Sequence, residues 1–297
     1  MTAWHLRLSL TVIRSPRYSR PMPTEDRPPH DWLRRFIAER TGNASLDRSD
    51  AAIDARLQSV LRNQKLDGLP DLVRRLGRQP PAKLVDAVVA ALMNNETSFF
   101  RDGHCFDALA EHVLPRLIEM RRRTRTLNLW SAACSTGQEP VSLVILLHEL
   151  MGPKLRDWTV QVTASDVSSD AVERTRRGRF STLEIRRGLS DARRTRYFTP
   201  DRDAWQFDRD LHRLIKSQQI NLVEAWPMLP RMDLILLRNM LIYVGPTERK
   251  TLLGRLAAQL KPDGGLVLGA PETLIDTPPF VREIHDRLRV YRVAPPS

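Results

Sequence analysis

An acidic side chain stands in this chain where a strand-like run gives way to a loop, and its type suits a nucleotide-like ligand. Asp166 ends the alternating run Thr159-Val160-Gln161-Val162-Thr163-Ala164-Ser165, where a carboxylate can accept hydrogen bonds from ribose hydroxyls. Its alternative role is only to cap the helix that follows. Glu139 closes the small-residue turn Ser135-Thr136-Gly137-Gln138-Glu139, in which Gly137 lets the backbone come close to a ligand. Arg238 and Asn239 follow the apolar run Met232 to Leu237. Arg101 sits beside Asp102 at the end of MNNETSFFRD, Met93 to Asp102; the embedded Phe99-Phe100 pair implies a segment pinned on a core with its polar groups facing a cavity. Cys105 and Cys134 lack metal-ligand spacing, and His104 and His112 have no acidic or cysteine partners at such spacing, so neither a metal site nor a disulfide is expected.

The elements that must position these groups follow from periodicity. Leu127 to Trp130 reads as a buried strand and Pro140 to Leu147 as a mostly apolar helix, giving the strand, tight loop and helix at which open α/β sheets bind nucleotide-like ligands. Upstream, apolar residues at helical spacing (Leu33, Phe36, Ile37; Ile53, Leu57, Val60; Leu84, Val85, Val88, Val89) predict a small helical domain over residues 30–92. Residues 93–104 link it to an α/β domain over 105–297. Within that domain, 179–222 breaks the strand and helix alternation, and a small antiparallel β-subdomain inserted at about these bounds accounts for its length. Met232 to Leu237 is a buried strand, Thr247 to Leu260 a helix, Pro262 to Gly265 a tight turn and Leu266 to Gly269 a further strand. Residues 1–29 read as a disordered extension; Met22 is an alternative start, and the order of charge and apolar residues does not fit a signal peptide.

A formal net charge of +12 admits nucleic acid or an acidic protein surface as partner. Aromatic residues make up only 6% and are not interleaved with basic ones as stacking on single strands requires, which ranks the acidic protein first. The longest apolar runs fall far short of the roughly 20 residues needed to span a bilayer, so a cytoplasmic chain without membrane insertion is expected.

Taken in order, Asn95-Glu96-Thr97-Ser98-Phe99-Phe100-Arg101-Asp102, Trp130 to Pro140, Ala164-Ser165-Asp166 and Arg238-Asn239-Met240-Leu241-Ile242-Tyr243, with the Lys261 to Gly265 turn, the sequence resembles the chemotaxis-receptor glutamate O-methyltransferases, the CheR family, from Asp31 onward. The resemblance implies a Rossmann-like S-adenosylmethionine-dependent methyltransferase domain with an inserted antiparallel β-subdomain, preceded by a small all-α domain. It implies methyl transfer to glutamate side chains of methyl-accepting chemotaxis receptors, with S-adenosylhomocysteine as product and no metal. It also implies a monomer recruited to membrane receptors through their cytoplasmic helical domains; whether the β-subdomain seats a receptor's carboxyl-terminal tether stays open.

By the same resemblance, Asn95, Thr97 and Arg101 hold the cofactor's amino-acid end and shape the methyl pocket, and Gly137 and Glu139 belong to the cofactor loop. Asp166 takes the ribose, Asn221 and Leu222 flank the adenine, Arg238 and Asn239 line the cofactor's inner side, and Tyr243 faces the substrate. Arg101 and Tyr243 are the residues expected at the reaction itself. Gln138 and Leu237 depart from the family, which often has Glu and Cys there, and Ile220 to Val223 matches loosely. Two other readings compete. A nucleic-acid methyltransferase commonly shows an acid or Asn followed by paired prolines where this chain has Arg238-Asn239-Met240-Leu241; a non-catalytic cofactor-binding module would keep the fold alone.

Overall fold

The computed structural model describes residues 28–42, 49–93, 96–274 and 277–294. The expectations for residues 1–27, the alternative start at Met22 and the role of Asn95 lie outside the described residues.

The helical domain is α1 (Pro29–Thr41), α2 (Asp50–Gln64), α3 (Leu69–Leu76) and α4 (Ala82–Leu92). The apolar residues found by periodicity form its core, Leu33, Ile37, Ile53, Leu57, Leu72 and Val88 among them. Ser49 caps α2 by accepting from the Ala52 N–H, and Gly42 ends α1 in the left-handed conformation. After the irregular segment to Asp102 come α5 (Gly103–Ala108), a π turn and α6 (Leu114–Met120), then β1 (Thr126–Ala132), α7 (Gln138–Met151), β2 (Thr159–Asp166) and α8 (Ser169–Arg177). The inserted part holds β3 (Arg179–Ser181), α9 (Thr182–Arg186), α10 (Asp191–Tyr197), β4 (Phe198–Asp201), β5 (Ala204–Phe207) and α11 (Arg209–His212). The chain closes with β6 (Ile215–Gln219), β7 (Met232–Leu237), α12 (Pro246–Gln259), β8 (Leu260–Leu268), β9 (Phe280–His285) and β10 (Leu288–Val293).

Among the described residues, seven strands form one sheet in the order β6-β2-β1-β7-β8-β10-β9. The first five are mutually parallel, and β10 pairs antiparallel with both β8 and β9. Alternate residues serve opposite faces: Leu127, Leu129, Leu234 and Leu236 pack with α5, α6 and α7, while Trp130, Ala132, Ile235 and Leu237 pack with α12. Both faces are covered, which is why these strands read as continuous apolar runs. Between Met232↔Leu260 and Leu234↔Gly265 the register jumps. The expected turn at Pro262 to Gly265 is therefore a bulge inside a single strand.

A separate sheet, β3-β5-β4, is antiparallel and makes the inserted subdomain. Its extent differs from the expected 179–222. Ile215 to Gln219 pairs in parallel with Val162 to Asp166, so β6 is an edge of the main sheet and the insertion ends near residue 212. A half-polar sequence, Ile215-Lys216-Ser217-Gln218-Gln219, suits an edge strand of either sheet; only the pairing decides. The subdomain is anchored by an aromatic cluster in which Phe99 meets Phe180 and Phe198 edge-on, at 4.9 and 5.5 Å between centroids. No helix among the described residues is long and apolar enough to cross a membrane.

Candidate functional site

Chain order reverses across the sheet between β1 and β7, with β2 and β6 on one side and β8 on the other. Ligands of open α/β sheets bind at the carboxyl ends of the strands at such a switch point. A cleft holding about 880 Å³ of space, counting its open mouth, lies there. The helical domain closes one side with Thr41 and Met93, held by Asn221 Nδ2 donating to the Arg40 carbonyl at 2.6 Å.

Arg238 joins three elements beneath the cleft. Its side chain is 2% exposed; Nη1 donates to Glu139 Oε2 at 2.9 Å, and Nη2 donates to Asp102 Oδ2 at 2.8 Å and to the Arg101 carbonyl at 2.7 Å. Burial alone would lower the guanidinium's pKa, yet the nearby anionic groups, Glu139 foremost, leave it raised. The other Glu139 oxygen accepts from Ser131 Oγ at 2.7 Å. Arg101 is half-buried and donates from Nη1 to the Glu96 carbonyl at 2.7 Å. Its segment is pinned as its aromatics implied: the Phe100 N–H donates to Ser142 Oγ at 3.0 Å on α7.

Asp166 is 7% exposed. Oδ2 accepts from the Ser135 N–H at 2.8 Å and Oδ1 from the Ser168 N–H at 2.9 Å. Burial raises its pKa above the ordinary carboxylate value, against backbone N–H groups of Ser168, Ser135 and Val167 that lower it. The cap of α8 is the Ser168 hydroxyl, so Asp166 is not needed as the simple helix cap. Each oxygen keeps acceptor capacity for a further donor.

Thr97, Arg101, Glu139, Asp166, Arg238, Asn239 and Tyr243 all line this cleft, as do Asn221 and Leu222. Asn221 donates from Nδ2 to the Arg40 carbonyl and accepts at Oδ1 from the Val223 N–H at 3.2 Å, and Leu222 beside it adds apolar surface. Gly137 is not among the lining residues. It is left-handed, φ 100°, and a Cβ there would stand 2.9 Å from Thr175 Oγ1 and 3.1 Å from its Cα. A glycine is required because α8 packs against the loop, a different reason from the ligand approach expected of it.

Gln138 is accounted for by the structure: Nε2 donates at 3.0 Å to Glu184 Oε1, which also accepts from Arg174 at 2.7 Å. A glutamate at 138 would set carboxylate against carboxylate. Burial raises the Cys105 thiol to about 11 and the Cys134 thiol well up, so neither is a thiolate nucleophile near neutral pH. His112, expected to lack acidic partners, hydrogen-bonds Asp286 Oδ2 at 2.8 Å with Glu111 beside it; the pair arises between the π turn and the β9–β10 turn, which sequence spacing could not show. Glu272 was also missed. It is buried, lines no part of the cleft, and meets the loop after β7 through backbone N–H groups.

Residues 95–287 match the family described as CheR methyltransferase, SAM binding domain. Chemotaxis protein methyltransferase Cher2 of Pseudomonas putida is 33% identical over 251 residues, 84% of this chain and 91% of that protein. Chemotaxis protein methyltransferase 1 of Vibrio cholerae is 35% identical over 243 residues, 81% of this chain and 87% of that one. The chemotaxis protein methyltransferase of Salmonella typhimurium is 32% identical over 242 residues, covering 80% and 81%. With the sheet order, the strand-end cleft and matches running through nearly the full length of these relatives, the chain belongs to the CheR family of chemotaxis protein methyltransferases.

Proposed function

We propose that this chain methylates glutamate side chains of chemotaxis receptors, forming methyl esters, with S-adenosylmethionine as donor. The observation that carries the reading is the convergence of Arg101, Glu139, Asp166, Arg238 and Tyr243 on one cleft at the switch point. The donor set suits the cofactor: Asp166 offers carboxylate oxygens to ribose hydroxyls, Thr97, Arg101 and Glu139 offer polar groups to an amino-acid end, and Ile220 and Leu222 offer apolar surface to a base. S-adenosylmethionine, when bound, supplies an electrophilic methyl group on a sulfonium.

A glutamate with a pKa of about 4.3 is already ionised at neutral pH, so the acceptor needs no general base. That fits a cleft whose lining includes no histidine among the described residues. The protein's contribution is orientation, which can supply roughly 7 to 11 kcal/mol when reacting groups are held in line. Charge is neutralised in the transition state, so a cation clamped on the acceptor would stabilise the ground state at least as much. Arg101, held by the Glu96 carbonyl, accordingly positions rather than neutralises. Tyr243 can direct one acceptor oxygen through its hydroxyl.

The basic helical domain suits an acidic receptor helix bundle, and docking there would bring a membrane receptor's cytoplasmic part to a cleft the same domain borders. Labelled donor offered to receptor-containing membranes and, separately, to RNA tests the reading. Base-labile methyl release from receptor is expected; label appearing only in RNA would overturn it. Failure to bind S-adenosylmethionine would favour a non-catalytic module.

A further inference from the structure

We propose that Glu272 is a positioning residue for methyl transfer: its buried carboxylate fixes the backbone of the loop after β7 and, through Met240, the place of Tyr243 at the cleft. The inference rests on the substrate-side reading of Tyr243. Glu272 is 4% exposed. Oε2 accepts from the N–H groups of Gly269 at 2.7 Å and Asn239 at 2.8 Å; Oε1 accepts from Met240 at 2.8 Å and Ile242 at 3.3 Å. One side chain thereby satisfies donors from two loops, of which the Gly269 N–H is buried and would otherwise stand unpaired there.

The chain of contacts reaches the site in two steps. The Met240 N–H is held by Glu272, and the Met240 carbonyl accepts from the Tyr243 N–H at 3.0 Å, closing the 3-10 turn Leu241–Tyr243. Asn239, which lines the cleft, is left-handed at φ 58°. Asn is among the few non-glycine residues that adopt this conformation readily, and the bonds from Glu272 hold it there. The loops touch closely: a Cβ on Gly269 would stand 2.7 Å from the Asn239 nitrogen and 2.8 Å from Glu272 Oε2.

Only a carboxylate suits this junction. Its two oxygens offer about four acceptor sites, whereas a glutamine amide turns two of them into donors that would face the N–H groups. The loop would then leave its conformation, and a displacement of about 1 Å at a reacting group can cost on the order of 100-fold in rate.

The test uses the full chain with receptor-containing membranes, comparing turnover at saturating S-adenosylmethionine with cofactor Kd from calorimetry. Glu272→Gln should lower turnover up to roughly tenfold, no more than loss of the Tyr243 hydroxyl does, and by a clearly larger factor than it weakens cofactor Kd, on which Asn239 can act through the same carboxylate. In a Tyr243→Phe background the same change should cost far less, because both act through one group. Gly269→Ala keeps the carboxylate group but crowds both it and the Asn239 nitrogen, and should show the same split should Glu272→Gln fail to fold. Wild-type turnover in both variants, a loss of affinity matching the loss of turnover, or an undiminished effect beside Tyr243→Phe would overturn the inference. Wild-type turnover in Tyr243→Phe would instead remove the substrate-side reading on which it stands.

Discussion

Arg238 at the end of β7 and Glu139 at the start of α7 form a buried ion pair across the switch point, Nη1 to Oε2 at 2.9 Å, with exposures of 2% and 12%. Asp102 takes the same guanidinium from the interdomain segment. Removing the cation would leave two carboxylates without their partner, and breaking such pairs costs about 3–5 kcal/mol. Arg238→Met, which keeps most of the side-chain volume, should lower the free energy of unfolding by about that amount in urea. Adding Glu139→Gln to it should restore part of the loss. A drop under about 1 kcal/mol for Arg238→Met would show that the site's frame does not depend on this pair.

Tyr243→Phe should reduce turnover while leaving cofactor affinity nearly unchanged, since the change removes only a hydroxyl from a half-buried ring at the cleft. Loss of one directing hydrogen bond corresponds to about 0.5–1.5 kcal/mol, up to roughly tenfold in rate. Steady-state kinetics on receptor membranes, with calorimetry for the cofactor, separates the two quantities. Equal losses in both would place the ring against the cofactor.

Receptor docking should be sensitive to salt. Arg74, Arg75 and Arg78 line an open groove at α3 with Leu66 and Pro81. All three arginines are exposed, and Arg74 is paired with Asp71 at 2.7 Å. Rim charges act mainly on encounter rate and its ionic-strength dependence. Arg75→Glu with Arg78→Glu should raise the KM for receptor several-fold at low salt and flatten the salt response, with cofactor Kd unmoved. Wild-type KM at low salt would exclude this face as the docking surface.

Asp166 was legible because it ends a strand-like run, and strand ends on one side of a parallel sheet must face one cleft; Glu139 and Arg238 were reached through the family resemblance. The Phe99-Phe100 pair gave away the pinned segment. Glu272 was not legible. Its partners are backbone N–H groups of a loop about thirty residues earlier, and no periodicity records such a contact. Nor could the pattern of Ile215 to Gln219 choose between two sheets; its register with Val162 to Asp166 does that. For Gly137 the conformational freedom was legible, but the neighbour that demands it was not, because the approach of Thr175 arises only when α8 folds back over the loop.

The raised pKa of Asp166 makes two pH dependences. Burial favours the neutral acid in the folded chain, so between the unfolded value near 3.8 and the folded value the native state holds the proton more firmly than the unfolded state. This group's contribution to stability therefore falls as pH rises through that window and is fully lost above the folded pKa. Asp166→Asn should remove that slope from the pH dependence of unfolding. Cofactor affinity should run the other way, because ribose hydroxyls donate best to the ionised carboxylate. Binding should weaken as pH falls through the folded pKa in the wild type. In Asp166→Asn it should be weaker by about 10-fold above that pKa, come close to wild type below it, and lack this pH step. Calorimetric titrations with S-adenosylmethionine across the acid range would decide it: the same pH step in both proteins would assign the titration to another group and take the ribose contact away from Asp166.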